Sequence, residues 1–314
     1  MNYVVFDLEW NQSPYGKAAE IERLPFEIIE IGAVKLNDER EVVDTFQVII
    51  KPTVYRRLNY RTREIVHMKQ SELDDGIWFP DAVRDFLAWA GPDSVFCTWG
   101  TVDLPELQRN MKYYQLLHLL KGPLHYYDVQ KLFAIQYEDM KSRRSLEYGT
   151  DFLHLPKAEA FHRALADASY TAEIFRTIDN DIILAYDSLD VYQNPRTKTE
   201  EIHLVYNGYS KFISREFESK EQAMADKEVL ATPCCLCGRS SHKKIRWFSV
   251  NARNYYCVAV CPEHGLEKGK IRMKHNDDGG VYVVKTIKVT NEPEVESIRK
   301  KKNDLREKRR RRRH

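Results

Sequence analysis

Short apolar runs and helical periodicities alternate along the first 185 residues of the chain. Runs rich in β-branched and aromatic residues predict strands at 3–6, 27–36, 45–50 and 94–98. Apolar positions three and four residues apart predict helices at 80–90, 102–120 and 163–178. This mixture predicts an α/β fold over residues 1–185, in which helices flank a mixed sheet.

The pattern weakens after residue 185 and then becomes purely strand-like. Residues 186–229 predict a connector with one polar helix at 220–228. Further strands are predicted at 242–250, 255–260, 271–274 and 281–290. They imply a small β module over residues 230–290, and the charge run that follows predicts a basic, disordered tail over 291–314.

Composition excludes an integral membrane protein. The chain of 314 residues is 43% hydrophobic and 31% charged, with a mean hydropathy of -0.57. It contains no stretch of about 18 apolar residues, the length that a membrane-spanning helix needs. Because the N-terminus also lacks a basic leader followed by an apolar run, we expect a cytoplasmic protein.

Charge is distributed unevenly. Residues 299–314 hold eleven Lys and Arg against two acids, a net charge of +9, so the other 298 residues carry −7 of the total of +2. A basic arm on an acidic body suits the capture of a polyanion such as nucleic acid. A tail that merely improves solubility is the alternative.

Four acids and one histidine stand at predicted element ends. Asp7 and Glu9 are two residues apart on the first strand, so both side chains leave the same face. Asp103 follows another strand, and Asp167 lies one turn inside a helix that His162 precedes. Because converging carboxylates repel one another unless a cation offsets their charge, the set indicates a divalent-metal site, whereas any one of these residues alone could be an ordinary surface group.

The chain contains D-x-E, then a D after W-G, then H-x4-D within HRALADA. This order resembles that of the DEDDh branch of the DEDD 3′–5′ exonucleases, which have an RNase H-like fold. The resemblance covers about residues 1–180 and implies that Asp7, Glu9, Asp103 and Asp167 hold two Mg²⁺ or Mn²⁺ ions, with His162 as general base. It also implies a substrate with a free 3′ end. The segments EIIEIGAVKLN, FPDAVRDFLAWA and WGTVD look most like the branch that trims small and structured RNAs, which favours RNA over DNA.

The chain departs from this family at residues 65–69, which read IVHMK where many relatives have a hydrophobic-T-G-I-T segment near the terminal nucleotide. Recognition of the sugar, and with it the choice between RNA and DNA, is therefore open. Two alternatives to an RNA exonuclease are a DNA repair or proofreading exonuclease and a non-catalytic nucleic-acid-binding protein on the same scaffold. The complete set of five residues argues against the non-catalytic alternative.

Five of the six cysteines fall within residues 234–261, which suggests a metal site rather than disulfides. A C-x2-C-G knuckle and a C-P-x-H-G knuckle resemble those of a zinc ribbon. We predict one structural Zn²⁺ on Cys234, Cys237, Cys261 and His264, with Cys257 as a substitute ligand. Free thiols in a small β core are the alternative.

Cations and rings interleave around this module. The predicted nucleic-acid-binding residues there and in the tail are Lys243, Lys244, Arg246, Arg253, Tyr255, Arg309, Arg310 and Arg311. Trp247, Phe248 and Tyr256 extend the aromatic set. Alternatively, Trp247 and one tyrosine form the core of the ribbon.

Overall fold

The computed structural model describes residues 1–140, 142–157 and 161–311. It divides the chain into two compact units, Met1–Tyr192 and Gln193–His314. Within the described residues, no helix is both long enough and apolar enough to cross a membrane.

The first unit is built around a six-stranded mixed sheet. Its strands are β1 (Asn2–Asn11), β2 (Glu27–Leu36), β3 (Val42–Ile49), β4 (Ser94–Thr98), β5 (Leu124–Asp128) and β6 (Ser188–Asp190). Their order across the sheet is β3-β2-β1-β4-β5-β6, where β4 is parallel to both β1 and β5 and the other pairs are antiparallel. The predicted α/β class with a mixed sheet is confirmed.

Helices cover both faces of this sheet. They are α1 (Tyr60–Val66), α2 (Gln70–Asp74), α3 (Phe79–Ala90), α4 (Asp103–Tyr113), α5 (Val129–Tyr137), α6 (Leu146–Phe152), α7 (Ala164–Thr177) and α8 (Asn180–Ala185). Alternate β1 side chains serve two cores: Val4 and Phe6 pack with α3 and α4, and Val5 packs with α5 and α7. Asp7 and Glu9 have the parity of Val5, so they lie on the α7 side.

The second unit contains a six-stranded antiparallel sheet. Its strands are β7 (Ile202–Tyr206), β8 (Tyr209–Ile213), β9 (His242–Ser249), β10 (Asn254–Cys261), β11 (Gly265–His275) and β12 (Val281–Val289), ordered β7-β8-β12-β11-β10-β9. Its helices are α9 (Lys220–Ala225), α10 (Lys227–Leu230) and α11 (Glu292–Arg311). One core lies on the α9–α10 side of the sheet and another under α11.

The structure differs from the prediction in the connector and in the tail. The predicted connector contributes β6 to the first sheet and β7 and β8 to the second, because β8 pairs with β12. The predicted tail is a helix through Arg311, since Val295 and Ile298 are three residues apart and pack with Ile245 and Val258. Arg312, Arg313 and the terminal histidine lie outside the described residues.

Candidate active site and cysteine cluster

The end of β1 carries two of the acidic residues predicted for catalysis. Asp7 lies opposite Gly32 on β2, and Glu9 lies opposite Glu30. Residues directly opposite in a sheet share a face, so all four positions face α7. At Gly32 this helix passes so close that an added Cβ would lie 2.0 Å from the Leu165 backbone nitrogen. The missing side chain therefore lets the start of α7 reach the carboxylates of β1.

His162 and Asp167 meet Glu9 at this point. One ligand atom each from Glu9, His162 and Asp167 lie within 4.8 Å of one another. His162 precedes α7 in a left-handed backbone conformation with φ of 68°, and its backbone N–H donates to Asp167 Oδ2 at 3.0 Å. Asp167 Oδ1 is buried and has no hydrogen-bond partner within the described chain. An unpaired buried carboxylate oxygen is what a missing cation would leave.

Asp103 approaches from another element, as the first residue of α4 just beyond β4. It is 6% exposed, and interaction with the backbone amide of Leu8, between Asp7 and Glu9 in the chain, favours its ionised form. The pKa of Asp7 is raised well above its usual range, mainly by burial and next by the charge of Asp103. The two aspartates therefore lie close enough to repel.

Burial is the main reason why the pKa values of these acids are raised. It raises the pKa of Glu9 to about 8, that of Asp103 to about 7 and that of Asp167 to about 6, and neighbouring carboxylates add to each shift. Hard divalent cations take oxygen ligands, which this set supplies. The residues therefore fit the metal ions that the DEDDh resemblance implies.

An ion pair beside the site was not found from the sequence. Glu30 is fully buried and accepts from both Nε and Nη2 of Arg163 at 3.1 Å, and Gln47 donates to it at 2.7 Å. Arg163 lowers the pKa of Glu9, against the larger effect of burial. The sequence does show Glu30 as an acid inside the apolar run of β2. Its partner Arg163 follows only from the strand register and from the packing of α7 on the sheet.

Substituting Gly32 by alanine tests how α7 is positioned. A methyl group there must displace helix backbone, so we expect a loss of about 1–3 kcal/mol of unfolding free energy, the usual range for overpacking. Urea denaturation would measure it. Gly91→Ala is the control, because nothing lies within 4 Å of a Cβ at Gly91, although its φ of 80° gives that variant some backbone strain. A Gly32→Ala protein no less stable than the control would contradict the packing argument.

The four predicted zinc ligands also meet, in the second unit. Cys234 and Cys237 lie in the turn before β9, Cys261 ends β10, and His264 lies just before β11. Cys237 and Cys261 have their sulfurs 3.7 Å apart, and the His264 Nδ1 lies 3.6 Å from the sulfurs of Cys234 and Cys261. Ligand atoms around a tetrahedral zinc, with Zn–S near 2.3 Å and Zn–N near 2.0 Å, lie about 3.5–3.8 Å apart. The cluster has the dimensions of a zinc site.

Cys257 does not fit the substitute role predicted for it. Its sulfur faces Gly269 within the sheet, where an added Cβ would meet it at 2.3 Å, and burial raises its pKa to about 12. Cys235 is also buried, and its backbone N–H donates to the fully buried Glu267. Both thiols lie outside the group of four.

Six of the eight residues predicted to bind nucleic acid are exposed. Lys244 and Arg246 on β9, Arg253 in the following turn, and Arg309, Arg310 and Arg311 on α11 are exposed, whereas Lys243 is half-buried. Tyr255 is 8% exposed within the core, so its ring cannot stack on a base. Trp247 packs against the same core and donates to the Leu230 carbonyl at 3.0 Å. For these two rings the core alternative is correct.

Comparison with known proteins places the first unit in a family. A family model described as exonuclease, RNase T, matches residues 4–175. The chain is 28% identical over 188 residues to KapD of Bacillus subtilis, named as a probable 3′–5′ exonuclease, covering 57% of this chain and 84% of KapD. It is 29% identical over 171 residues to DNA polymerase III PolC-type of the same species, covering 54% of this chain and 11% of the polymerase.

Among solved structures, the nuclease domain of 3′hExo, a DEDDh family member bound to rAMP, aligns with a TM-score of 0.48 at 19% identity. The alignment covers 56% of this chain and 90% of that one.

Proposed function

The chain belongs to the exonuclease family, and on this premise we propose that it is a 3′–5′ exonuclease of the DEDDh type. In this proposal its four acids hold two divalent ions and His162 is the general base. The convergence of Glu9, His162 and Asp167 within 4.8 Å carries this proposal. Two Mg²⁺ or Mn²⁺ ions would polarise the scissile phosphate and stabilise the leaving 3′ oxygen.

The acids have different surroundings within this proposal. Asp167 offers one free buried oxygen, while its other oxygen is oriented by the His162 backbone. Asp7 and Asp103 bring their charges together from β1 and from the start of α4. Glu9 shares the β1 face with Asp7, and Arg163 partly offsets its charge. A metal bound here would pull all four into the ionised form.

His162 is placed to move a proton. Its side chain is exposed, and its ring reaches the carboxylates of Glu9 and Asp167 from the solvent side. A neutral imidazole can take a proton from an attacking water at neutral pH and release it to solvent. The buried carboxylates of Asp103 and Asp167 lack that access.

We propose RNA with a free 3′ end as the preferred substrate. A cleft of about 820 Å³ beside α1 is lined by Arg56, Arg57, Arg63 and Lys69, which suits a phosphate backbone. The Asn11 side chain, two residues after Glu9, donates to the carbonyls of Tyr55 and Arg57 and so ties this loop to β1. The second candidate is a DNA exonuclease, which the likeness to a DNA polymerase favours.

One experiment separates these candidates. RNA and DNA strands of the same sequence, labelled at either end, are incubated with the full chain with Mg²⁺, with Mn²⁺, or without added metal. We expect mononucleotides from the 3′ end, only with metal, and faster from RNA. Faster release from DNA would favour the second candidate, and no release from either strand would contradict catalysis.

We further propose one structural zinc ion on Cys234, Cys237, Cys261 and His264. The interatomic distances of 3.6–3.7 Å support it, as does the Leu236 backbone amide, which donates to the Cys234 sulfur at 3.5 Å. Zinc binding would contribute folding energy to the second unit.

Zinc content tests this proposal. We expect one zinc per chain by elemental analysis, close to none in a Cys237→Ser variant, and a loss of thermal stability on chelation. Cys257→Ser is the matched control and should keep its zinc, because the Cys257 sulfur faces Gly269 and not the cluster. Retention of zinc by Cys237→Ser, or its loss from the control, would contradict this ligand set.

A further inference from the structure

We infer that a groove between the last turns of α11 and the end of β9 binds single-stranded nucleic acid. The groove has a volume of about 390 Å³. Its lining includes Phe248, Lys302, Leu305, Arg306, Arg309 and Arg310. The inference rests on the proposed function in one respect only, that the substrate is nucleic acid.

The helix presents these cations in a fixed arrangement. Val295 and Ile298 anchor α11 in a core with Ile245 and Val258, so the helix axis is set by packing. At about 100° per residue, positions 302, 305, 306 and 309 fall on one side of the helix, continuing the anchored face. Because the side chains already lie on a folded helix, binding need not order a tail.

The groove cations are available to an anion. Within the described residues, Lys302, Arg306, Arg309 and Arg310 form no ion pair with a carboxylate, whereas Arg299 near the start of the helix pairs with Glu296. Lys302 lies 6.0 Å from the centre of the Phe248 ring, and Arg309 contacts the Ser249 carbonyl at 3.5 Å. Charges beside a half-buried ring combine phosphate neutralisation with a stacking surface.

The charges of the two units show why a separate binding surface is useful. Residues 1–192 hold 31 Asp and Glu against 21 Lys and Arg, a net charge of −10, and residues 193–314 carry +12. A polyanion is repelled by the overall charge of the catalytic unit and attracted by that of the second. Single-stranded nucleic acid fits the groove better than an anionic membrane does, because the exposed side of α11 is polar and has no apolar face to insert.

Two charge-matched triple variants of the full chain test the groove. Arg306→Gln, Arg309→Gln and Arg310→Gln together remove three groove cations, and Lys300→Gln, Lys301→Gln and Lys308→Gln remove three that do not line the groove. Glutamine is a good helix former, so both variants should keep α11, which circular dichroism checks. Binding to a single strand of about 20 nucleotides is measured without added Mg²⁺ or Mn²⁺, over a range of salt concentrations.

We expect the groove triple variant to bind at least tenfold more weakly at moderate salt and to reduce the salt slope by about 2, since each phosphate contact adds about 0.7. The control triple variant should change affinity less than threefold. Phe248→Leu should weaken binding about fivefold or more at an unchanged salt slope, because stacking on a ring releases no counterions.

Equal losses of affinity in the two triple variants would overturn the inference, because the net charge of the helix would then explain binding without the groove. A larger loss of binding to phosphatidylserine vesicles than to RNA would overturn it in favour of a membrane surface. Failure of the proposed function can be distinguished from failure of this inference, because the unmodified chain would then release no nucleotides. The groove variants should retain the turnover number on a saturating trinucleotide.

Discussion

Replacing Asp7 by asparagine should reduce nucleotide release by a factor of about 10³ or more, since a catalytic metal supplies several kcal/mol of charge stabilisation. Asparagine keeps the shape of the side chain and removes the charge that we propose holds metal. Asp7 lies at the centre of the acidic set, where Asp103, Glu9, Asp167 and Glu30 all raise its pKa in addition to burial. The measurement is 3′ nucleotide release at saturating metal and substrate.

The same substitution should stabilise the metal-free protein at alkaline pH. The folded-state pKa values of these acids lie above their unfolded values near 4, reaching about 8 for Glu9, so the folded chain binds more protons between these limits. The unfolding free energy of the metal-free protein therefore falls as pH rises from about 4 to 8. Asp7→Asn removes one repelling charge, so its advantage should grow over that interval.

The control for Asp7 is Asp85→Asn on the exposed side of α3. It removes the same charge away from the acidic set and should leave both the rate and the pH dependence of stability unchanged. An active Asp7→Asn protein would rule out the proposed metal site. An inactive one with lowered stability at pH 8 would mean that Asp7 supports the fold rather than a metal.

Local signals located most of the catalytic unit. The runs at 27–36 and 94–98 are the observed limits of β2 and β4, because β2 is buried along almost its whole length and β4 over its last three residues. The pairing of Glu30 with Arg163 was out of reach, since it joins residues 133 positions apart through the close approach of α7 at Gly32. The sequence supplies the residue types, but tertiary packing decides which ones meet.

The second unit shows two further limits of sequence patterns. In β7 and β8 the side chains are mostly half-exposed, so no apolar period marks them, and their place depends on the distant strand β12. In α11 the two buried residues are outnumbered by cations, and this composition is typical of a disordered tail. The four zinc-type ligands were found because their spacing is local to two knuckles.

His162→Ala should lower the rate by about 10² to 10⁴-fold, the usual contribution of a general base, without abolishing metal binding. The side chain is exposed, so the variant should fold. Its rate should rise by about tenfold per pH unit above neutrality, because hydroxide then replaces the missing base, while the unmodified enzyme levels off. Single-turnover rates from about pH 6 to 9 measure both profiles.

The matched control is His154→Ala, because His154 is also exposed and also has a left-handed backbone, with φ of 53° against 68° for His162. Any strain that alanine introduces at such a position is therefore present in both variants, and only the change at His162 should affect the chemical step.

The alternative role for His162 is that of a direct metal ligand, since its ring lies within 4.8 Å of Glu9 and Asp167. In that case His162→Ala would need more Mn²⁺ for half-maximal activity and would recover at high metal rather than at high pH. If His162 is the general base, the variant should recover at high pH with an unchanged metal requirement. Loss of a metal ligand would instead weaken metal binding at every pH.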